Sequence, residues 1–103
     1  KVNFRILSNV TSPVTIHCKS RDDDLGWHVI SKGNFVKWWF RLNFWETTLY
    51  FCGITTQYGG GVYDIYKAKR DMKRCHFCNW VVQQDGVHGF KDGANKDDIW
   101  FKW

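Results

Sequence analysis

The sequence predicts an all-β domain, a β-sandwich or barrel of about nine short strands. Apolar and polar residues alternate with period two in several short runs, as they do in half-buried strands. Aromatic residues make up 18% of the chain, with seven Trp and eight Phe, whereas Ala occurs twice and Met once. This composition favours pleated strands over helices. Turn-forming residues separate the runs at the short spacing typical of all-β folds.

The clearest alternating run is FVKWWFRLN, residues 35–43. Its even-numbered residues, Val36 to Leu42, share one face, and Lys37, Trp39 and Arg41 share the other. None of the runs reaches the length that indicates a helix. The other predicted strands, in chain order, are Val2–Leu7, Val14–Cys18, Trp27–Ile30, Thr48–Ile54, Val62–Tyr66, Cys75–Gln83, Val87–Phe90 and Ile99–Trp103.

Turn signals lie between these runs. Near Asp22–Gly26, Ser20 and an Asp side chain are expected to accept hydrogen bonds from backbone N–H groups, and Gly26 is expected to adopt a positive φ. The basic segment KAKRDMKR is expected to be a solvated turn. The segment KDGANKDD is expected to be a surface loop. The predicted turns are Asp22–Gly26, Lys32–Asn34, Tyr58–Gly61, Lys67–Arg74 and Asp85–Gly86.

Length and charge indicate one domain, residues 1–103, that attracts acidic partners weakly. The 15 Lys and Arg outnumber the 10 Asp and Glu, which gives a formal charge of +5. No apolar run approaches the ~20 residues of a membrane span, so we expect a soluble chain. The chain opens on Lys1 without Met, and Asn9-Val10-Thr11 is an N-glycosylation sequon. We therefore expect a secreted protein, glycosylated at Asn9, whose signal peptide has been removed.

The four cysteines, Cys18, Cys52, Cys75 and Cys78, predict two disulfides in an oxidising compartment. If Cys75 and Cys78 lie on an extended strand, their Cα atoms are about 10 Å apart, beyond the ~7 Å limit for a disulfide. We therefore expect each to pair with a distant cysteine. Cys52 with Cys78 and Cys18 with Cys75 is the preferred pairing, and the crossed alternative stays open.

Metal binding is not expected, although two patterns suggest it. The C-x-x-C of Cys75 and Cys78 has no second closely spaced ligand pair, which a structural zinc site requires. The run Asp22, Asp23 and Asp24 lacks the alternating ligands and distant Glu of an EF-hand loop. These carboxylates are better interpreted as part of a turn that also offers a recognition surface. We expect no cofactor.

Histidines and basic residues permit two further interpretations. Two histidines could form the acid/base pair of a secreted ribonuclease, but no spacing forces two of them together. Aromatic and basic residues interleave around Trp39, a pattern also found in nucleic-acid-binding barrels. We expect instead that Lys37 and Arg41 cover this ring by cation–π contacts, with no nucleic acid partner. The four histidines are His17, His28, His76 and His88.

Four segments in order carry a family resemblance that covers nearly the whole chain. They are VTIHCKSRDDDLG, TTLYFCGI, YDIYKAKRD and RCHFCNWVVQQDGVHGF, followed by an aromatic tail from Trp100 to Trp103. Together they resemble the plant self-incompatibility protein family, the S-protein homologues. The resemblance implies a small, secreted antiparallel β-sandwich of two sheets, with eight or nine strands, two disulfides and no known catalytic activity.

The resemblance also implies a function in cell–cell signalling. In poppy, family members from the pistil are ligands for a pollen membrane protein. By this resemblance we expect a non-enzymatic, monomeric ligand whose surface loops are recognised by a membrane receptor protein. A ribonuclease-like enzyme and a cationic defence or wall-binding protein are the alternatives. The residues expected to bind the partner are Asp22, Asp23, Asp24, Lys67, Lys69 and Arg70.

Overall fold

A computed structural model describes residues 1–103 as a β-sandwich with nine strands and one short helix. The all-β prediction is confirmed. Each predicted strand is present, with ends that move by a few residues. The strands are β1 Val2–Ser8, β2 Val14–Lys19, β3 Asp24–Ile30, β4 Phe35–Phe40, β5 Leu49–Thr56, β6 Gly59–Lys67, β7 Phe77–Gln83, β8 Gly86–Phe90 and β9 Ile99–Phe101, and the helix α1 is Ala68–Asp71.

The strands form two sheets that enclose one core. One sheet has the order β4-β1-β7-β8-β9, and the other has the order β3-β2-β5-β6. All pairs are antiparallel except β1 with β7, which run parallel. The predicted antiparallel sandwich therefore contains one parallel pair. Parallel strands need a long crossover, and here the entire second sheet lies between β1 and β7 in the chain.

Three predicted turns lie largely in secondary structure instead. The predicted turn Asp22–Gly26 ends at Asp23, because β3 begins at Asp24. Gly59, Gly60 and Gly61 belong to β6, because β5 pairs with all three and leaves Gln57 and Tyr58 as the turn. The segment Lys67–Arg74 contains α1 and the turn that follows it, so it is not simply a solvated loop. No helix of the structure has the length and apolar character to cross a membrane.

The period-two patterns define the core as expected. In β1 and β7 every second side chain is fully buried, and in β4 Phe40 is buried whereas Lys37 and Trp39 are exposed. Trp80 of β7 and Phe4 of β1 are completely buried. A sandwich buries the inner face of each sheet against the other, so alternation along the strands places these side chains in one core.

The disulfide pairing differs from the prediction. Cys18 pairs with Cys52, and Cys75 pairs with Cys78. Cys18 of β2 and Cys52 of β5 are directly opposite each other in the four-stranded sheet, with Cα atoms 4.0 Å apart. Both are completely buried, so this disulfide crosses two neighbouring strands inside the core.

The second disulfide is possible because Cys75 is not in a strand. The backbone N–H of Cys75 donates to the carbonyl of Asp71 at 3.0 Å, so the chain turns after α1 and β7 starts only at Phe77. The Cα atoms of Cys75 and Cys78 are consequently 5.2 Å apart, within disulfide range. The prediction failed because it assumed an extended chain through Cys75.

The two disulfides are expected to differ in their contribution to stability. Cys18–Cys52 spans 34 residues and Cys75–Cys78 spans three. In the chain-entropy model, loss of the first costs about 4 kcal/mol and loss of the second about 2 kcal/mol. Urea unfolding of the paired Cys→Ala variants measures both free energies.

Peptide mapping without reduction provides a control for the pairing itself. Residues 75 and 78 lie on one tryptic peptide, which should carry an internal disulfide, while Cys18 and Cys52 should link two separate peptides. A peptide that joins Cys18 or Cys52 to the segment 75–78 would contradict the structure.

Candidate functional site

Three loop segments meet at one end of the sandwich. They are residues 20–23 between β2 and β3, residues 41–48 between β4 and β5, and residues 67–74 around α1. The backbone N–H of Ala68 donates to the carbonyl of Thr48 at 3.0 Å, and Leu49 pairs with Lys67 across β5 and β6. We call this surface the loop end. Two open grooves lie on it.

The first groove of the loop end separates residues 20–23 from residues 41–51 and has a volume of about 460 Å³. The predicted binding residues Asp22 and Asp23 line it, together with Arg21 and Arg41. The hydroxyl of Tyr50 on the floor donates to the Asp23 carboxylate at 3.5 Å. Burial raises the pKa of Tyr50, so this hydroxyl stays a hydrogen-bond donor at neutral pH.

The second groove of the loop end lies beside β6 and α1 and has a volume of about 650 Å³. The predicted binding residues Lys67, Lys69 and Arg70 line it. Tyr63 and Phe101 form an apolar wall, with ring centroids 5.3 Å apart and nearly parallel planes. The groove therefore combines positive charge with a stacked aromatic pair.

Asp24 does not line either groove. Its carboxylate accepts a hydrogen bond from the backbone N–H of Gly26 at 2.9 Å and contacts His17 at 2.7 Å. The Gly26 N–H, with a further contribution from His17, lowers the pKa of Asp24. Gly26 has a φ of +81°, and the Ser20 hydroxyl accepts from the N–H of Asp23 at 3.1 Å. The hydrogen bonding predicted for this corner is confirmed.

Sequence reasoning missed the most exposed aromatic pair of the molecule. Phe44 and Trp45, at the tip of residues 41–48, are 86% and 77% exposed and meet edge to face at 5.0 Å. Asn43 braces this tip, because its side chain hydrogen-bonds both the backbone and the hydroxyl of Thr47. The signal was present in NFWETT, an aromatic pair flanked by polar residues after a strand.

The segment Lys67–Arg74 contains a buried charge that the sequence did not reveal. The carboxylate of Asp71 is completely buried. Arg70 donates to it twice, at 2.9 and 2.7 Å, Arg74 donates at 3.1 Å, and the backbone N–H of Lys67 donates at 2.9 Å. Arg70 is thus shared between this network and the second groove, whereas Lys67, Lys69 and Lys73 are exposed to solvent.

The Asp71 network connects the two sheets. Arg70 also donates to the carbonyls of Asp64 and Ile65 in β6. Arg74 forms two hydrogen bonds with Asp98, each 2.6 Å long, just before β9. Both guanidinium groups lie over the ring of Trp80 in β7, at 5.5 and 5.7 Å. One buried carboxylate therefore organises the end of β6, the centre of β7 and the start of β9.

The comparison with known proteins assigns the family. Residues 3–103 match the family model described as plant self-incompatibility protein S1. The chain belongs to this family. The resemblance predicted from the sequence is confirmed over residues 3–103, which are nearly the whole chain.

Similar proteins of the S1 family come from Arabidopsis thaliana. The chain is 47% identical to S-protein homolog 6 over 85% of its length, 46% identical to S-protein homolog 24 over 85%, and 45% identical to S-protein homolog 28 over 87%. The matches cover 65%, 59% and 61% of those relatives, so the chain spans about three fifths of their length. No solved structure matches the chain.

The histidines of this S1-family protein each have a separate partner. His17 contacts Asp24 and stacks on Trp27 at 4.3 Å, and the ring of His28 contacts the carbonyl of Leu25. No two histidines share a hydrogen-bond partner. No group of three or more His, Cys, Asp or Glu side chains is arranged to hold a metal ion. The N–H of exposed Asn9 donates to Val82, and glycosylation of Asn9 stays a prediction.

His88 of the S1-family protein is the histidine most constrained by its surroundings. Its ring lies between two carboxylates, 2.7 Å from Asp85 and 3.1 Å from Asp97, and stacks on Trp100 at 5.2 Å. Burial alone would lower the pKa of His88, but the hydrogen bonds to Asp85 and Asp97 outweigh it and raise the pKa above 6.5. His88 therefore links the β7–β8 turn, the 91–98 loop and β9.

We expect the stability of the protein to fall as the pH rises from about 6.5 through the raised pKa of His88. The pKa of His88 is higher in the folded state than the unfolded value of 6.5, so protonation of His88 stabilises the fold. This stabilisation is complete below pH 6.5 and is lost as the pH rises through the folded-state pKa. Urea midpoints measured across this range should fall for the natural protein and stay flatter for His88→Gln.

A matched control is His76→Gln, since His76 is exposed and contacts only Asp92. This variant should keep the pH-dependent fall of the natural protein. Parallel pH profiles for the natural protein and His88→Gln would contradict the role assigned to His88.

Proposed function

We propose that this S1-family protein is a secreted, non-enzymatic signalling ligand, recognised at its loop end by a cell-surface protein. The exposed pair Phe44 and Trp45, braced by Asn43 on the loop that lines the first groove, is the observation that carries this proposal. The predicted binding residues in the grooves add charges of both signs around the pair. The aromatic tip, Phe44 and Trp45, makes the central contact with the partner, and the grooves make the surrounding polar contacts.

The aromatic tip has the properties of an interface hot spot. Trp is enriched among residues that contribute most to binding energy, and such residues are surrounded by polar contacts that exclude water. The two large rings are 86% and 77% exposed, so they contribute little hydrophobic free energy to folding. They contribute much more to binding when a partner covers them. Asn43 bonds hold the loop in one conformation, so binding loses little conformational entropy.

Charge around the tip supports selectivity for a partner. Asp22 and Asp23 line one groove, and Lys67 and Lys69 line the other. The first groove also contains Arg21 and Arg41, so a partner surface has to present both charges to the first groove and negative charge to the second. Complementary charges of this kind raise association rates and reject wrong partners more than they add raw affinity.

The cysteines and the family support secretion. All four cysteines are paired, and small domains with two disulfides form and persist in oxidising compartments. The chain belongs to a family named for self-incompatibility proteins. The histidines support a non-enzymatic role over the ribonuclease alternative, because each is held by its own structural partner.

Substitution of the aromatic tip tests the proposal. Phe44→Ala with Trp45→Ala should weaken saturable binding of labelled protein to plant protoplasts, cells freed of their polysaccharide wall, by at least about tenfold, because a hot-spot residue contributes about 2 kcal/mol or more. The thermal midpoint should stay unchanged, since both side chains are exposed. Competition with unlabelled protein and protease treatment of the cells identify binding to a surface protein.

The matched control is Trp27→Ala, which removes an equally exposed Trp, 72% exposed, from β3. It should bind as the natural protein does. Binding that survives the double substitution, or that falls steeply with salt and ignores which residue is changed, would contradict the proposal and favour a cationic wall-binding or defence role.

A further inference from the structure

A second surface, adjacent to the loop end where β4 runs into residues 41–48, combines aromatic rings with uncompensated positive charge. It is the outer face of β4, β1 and β7. We call it the aromatic–cation face and define it by Lys1, Arg5, Phe35, Lys37, Trp39 and Phe77. None of these residues lines a groove of the loop end. Trp39 is 57% exposed and Phe35 is 51% exposed, so both rings are open to a ligand.

The positive charges of the aromatic–cation face have no carboxylate partner. Arg5 and Lys37 are directly opposite each other on β1 and β4, and neither forms a salt bridge. No Asp or Glu occurs in β1, β4 or β7. Like charges directly opposite each other destabilise a sheet. A local conflict of this kind is expected where a surface serves binding rather than folding.

The arginine of this face contrasts with the arginines of the Asp71 network. Arg70 and Arg74 are both neutralised by buried or half-buried carboxylates. The Nε of Arg5 is buried and has no hydrogen-bond partner. Its guanidinium instead lies between two rings, 5.4 Å from Phe35 and 5.9 Å from Phe77. The half-buried guanidinium of Arg5 therefore keeps a positive charge that no carboxylate of the protein neutralises.

Cations and rings alternate at short distances across the aromatic–cation face. The ammonium group of Lys1 lies 4.9 Å from the ring of Trp39, and that of Lys37 lies 5.0 Å from the ring of Phe77. A matching ligand has to place a negative charge close beside a flat apolar surface. Because the pair of a cation and a ring occurs more than once on this face, a matching ligand has to repeat both the negative charge and the flat apolar surface.

We propose that the aromatic–cation face binds an acidic polysaccharide built of uronate sugars. In a uronate the carboxylate is attached directly to the sugar ring, whose C–H face stacks on an aromatic side chain. Charge and stacking surface are then adjacent, as the cations and rings are on this face. A nucleotide separates its phosphate from its base by the ribose, so it fits this close alternation less well.

The proposal goes beyond recognition of a partner at the loop end. Because the two surfaces share no residue, the protein can be held on an acidic polymer while the aromatic tip, Phe44 and Trp45, stays accessible. Each surface can then be disabled alone. Trp39→Ala should weaken polymer binding alone, and Phe44→Ala with Trp45→Ala should weaken cell-surface binding alone, so failure of one proposal can be told from failure of the other.

Titration calorimetry with a purified oligogalacturonate of fixed length tests the proposal. The natural protein should bind it and should not bind a neutral dextran of similar length. Trp39→Ala should weaken binding at least about tenfold, as expected for an exposed stacking Trp. Lys37→Gln should weaken it about threefold, as expected for one solvent-exposed ion pair. Both residues are exposed, so neither change should lower the thermal midpoint, and Lys37→Gln should raise it slightly because the repulsion from Arg5 is relieved.

Lys96→Gln is the matched control, because Lys96 is exposed on the 91–98 loop at the opposite edge of the same sheet. It carries the same change in net charge and should keep binding within about twofold. The proposal is overturned if the natural protein does not bind oligogalacturonate, if Lys96→Gln weakens binding as much as Lys37→Gln, or if Trp39→Ala binds normally. It is also overturned if Trp39→Ala weakens the binding of single-stranded RNA and leaves the binding of oligogalacturonate unchanged.

Discussion

The buried carboxylate of Asp71 is the interaction on which this structure depends most. A completely buried charge is tolerated only when it is paired and fully hydrogen-bonded. Here Arg70, Arg74 and the backbone of Lys67 supply four donors. The two guanidinium groups in turn lie over Trp80, which packs so closely on the neighbouring strand that a Cβ atom at Gly89 would lie 2.6 Å from the ring. Removal of the carboxylate leaves Arg70 without an ion-pair partner and leaves Arg74 with Asp98 alone.

This constraint also positions the functional surfaces. The Asp71 network holds the turn after β6, and that turn supplies one wall of the loop end and joins residues 41–48 through the hydrogen bond from Ala68 to Thr48. The aromatic–cation face lies on β4, β1 and β7, and β7 contains the Trp80 on which the network packs. Rigid strands thus hold the two surfaces proposed to bind partners in fixed positions, one made of exposed loop residues and one on the outer face of a sheet. Binding residues on loops held by a rigid scaffold are a common arrangement in recognition proteins.

Local patterns predicted most of the fold because they are properties of neighbouring residues. Alternation in β4 correctly placed Lys37 and Trp39 outside, and the corner around Gly26 was predicted down to its hydrogen bonds. Contacts between distant segments escaped prediction. The cation over Trp39 is Lys1, not Lys37 or Arg41 as expected, because strand register and the chain terminus decide which side chains meet. Asp71 gave no signal either, since a single acid within a basic run looks like a solvated turn until its surroundings are known.

Urea unfolding of Asp71→Asn tests the importance of this carboxylate most directly. The amide can still accept from the N–H of Lys67 but cannot neutralise Arg70 and Arg74. The free energy of unfolding should therefore fall by about 3 to 5 kcal/mol, as it does when one partner of a buried ion pair is removed. Asp22→Asn, a change at an exposed groove residue, should alter it by less than about 0.5 kcal/mol. A loss below about 1 kcal/mol for Asp71→Asn would contradict the central place given to this interaction.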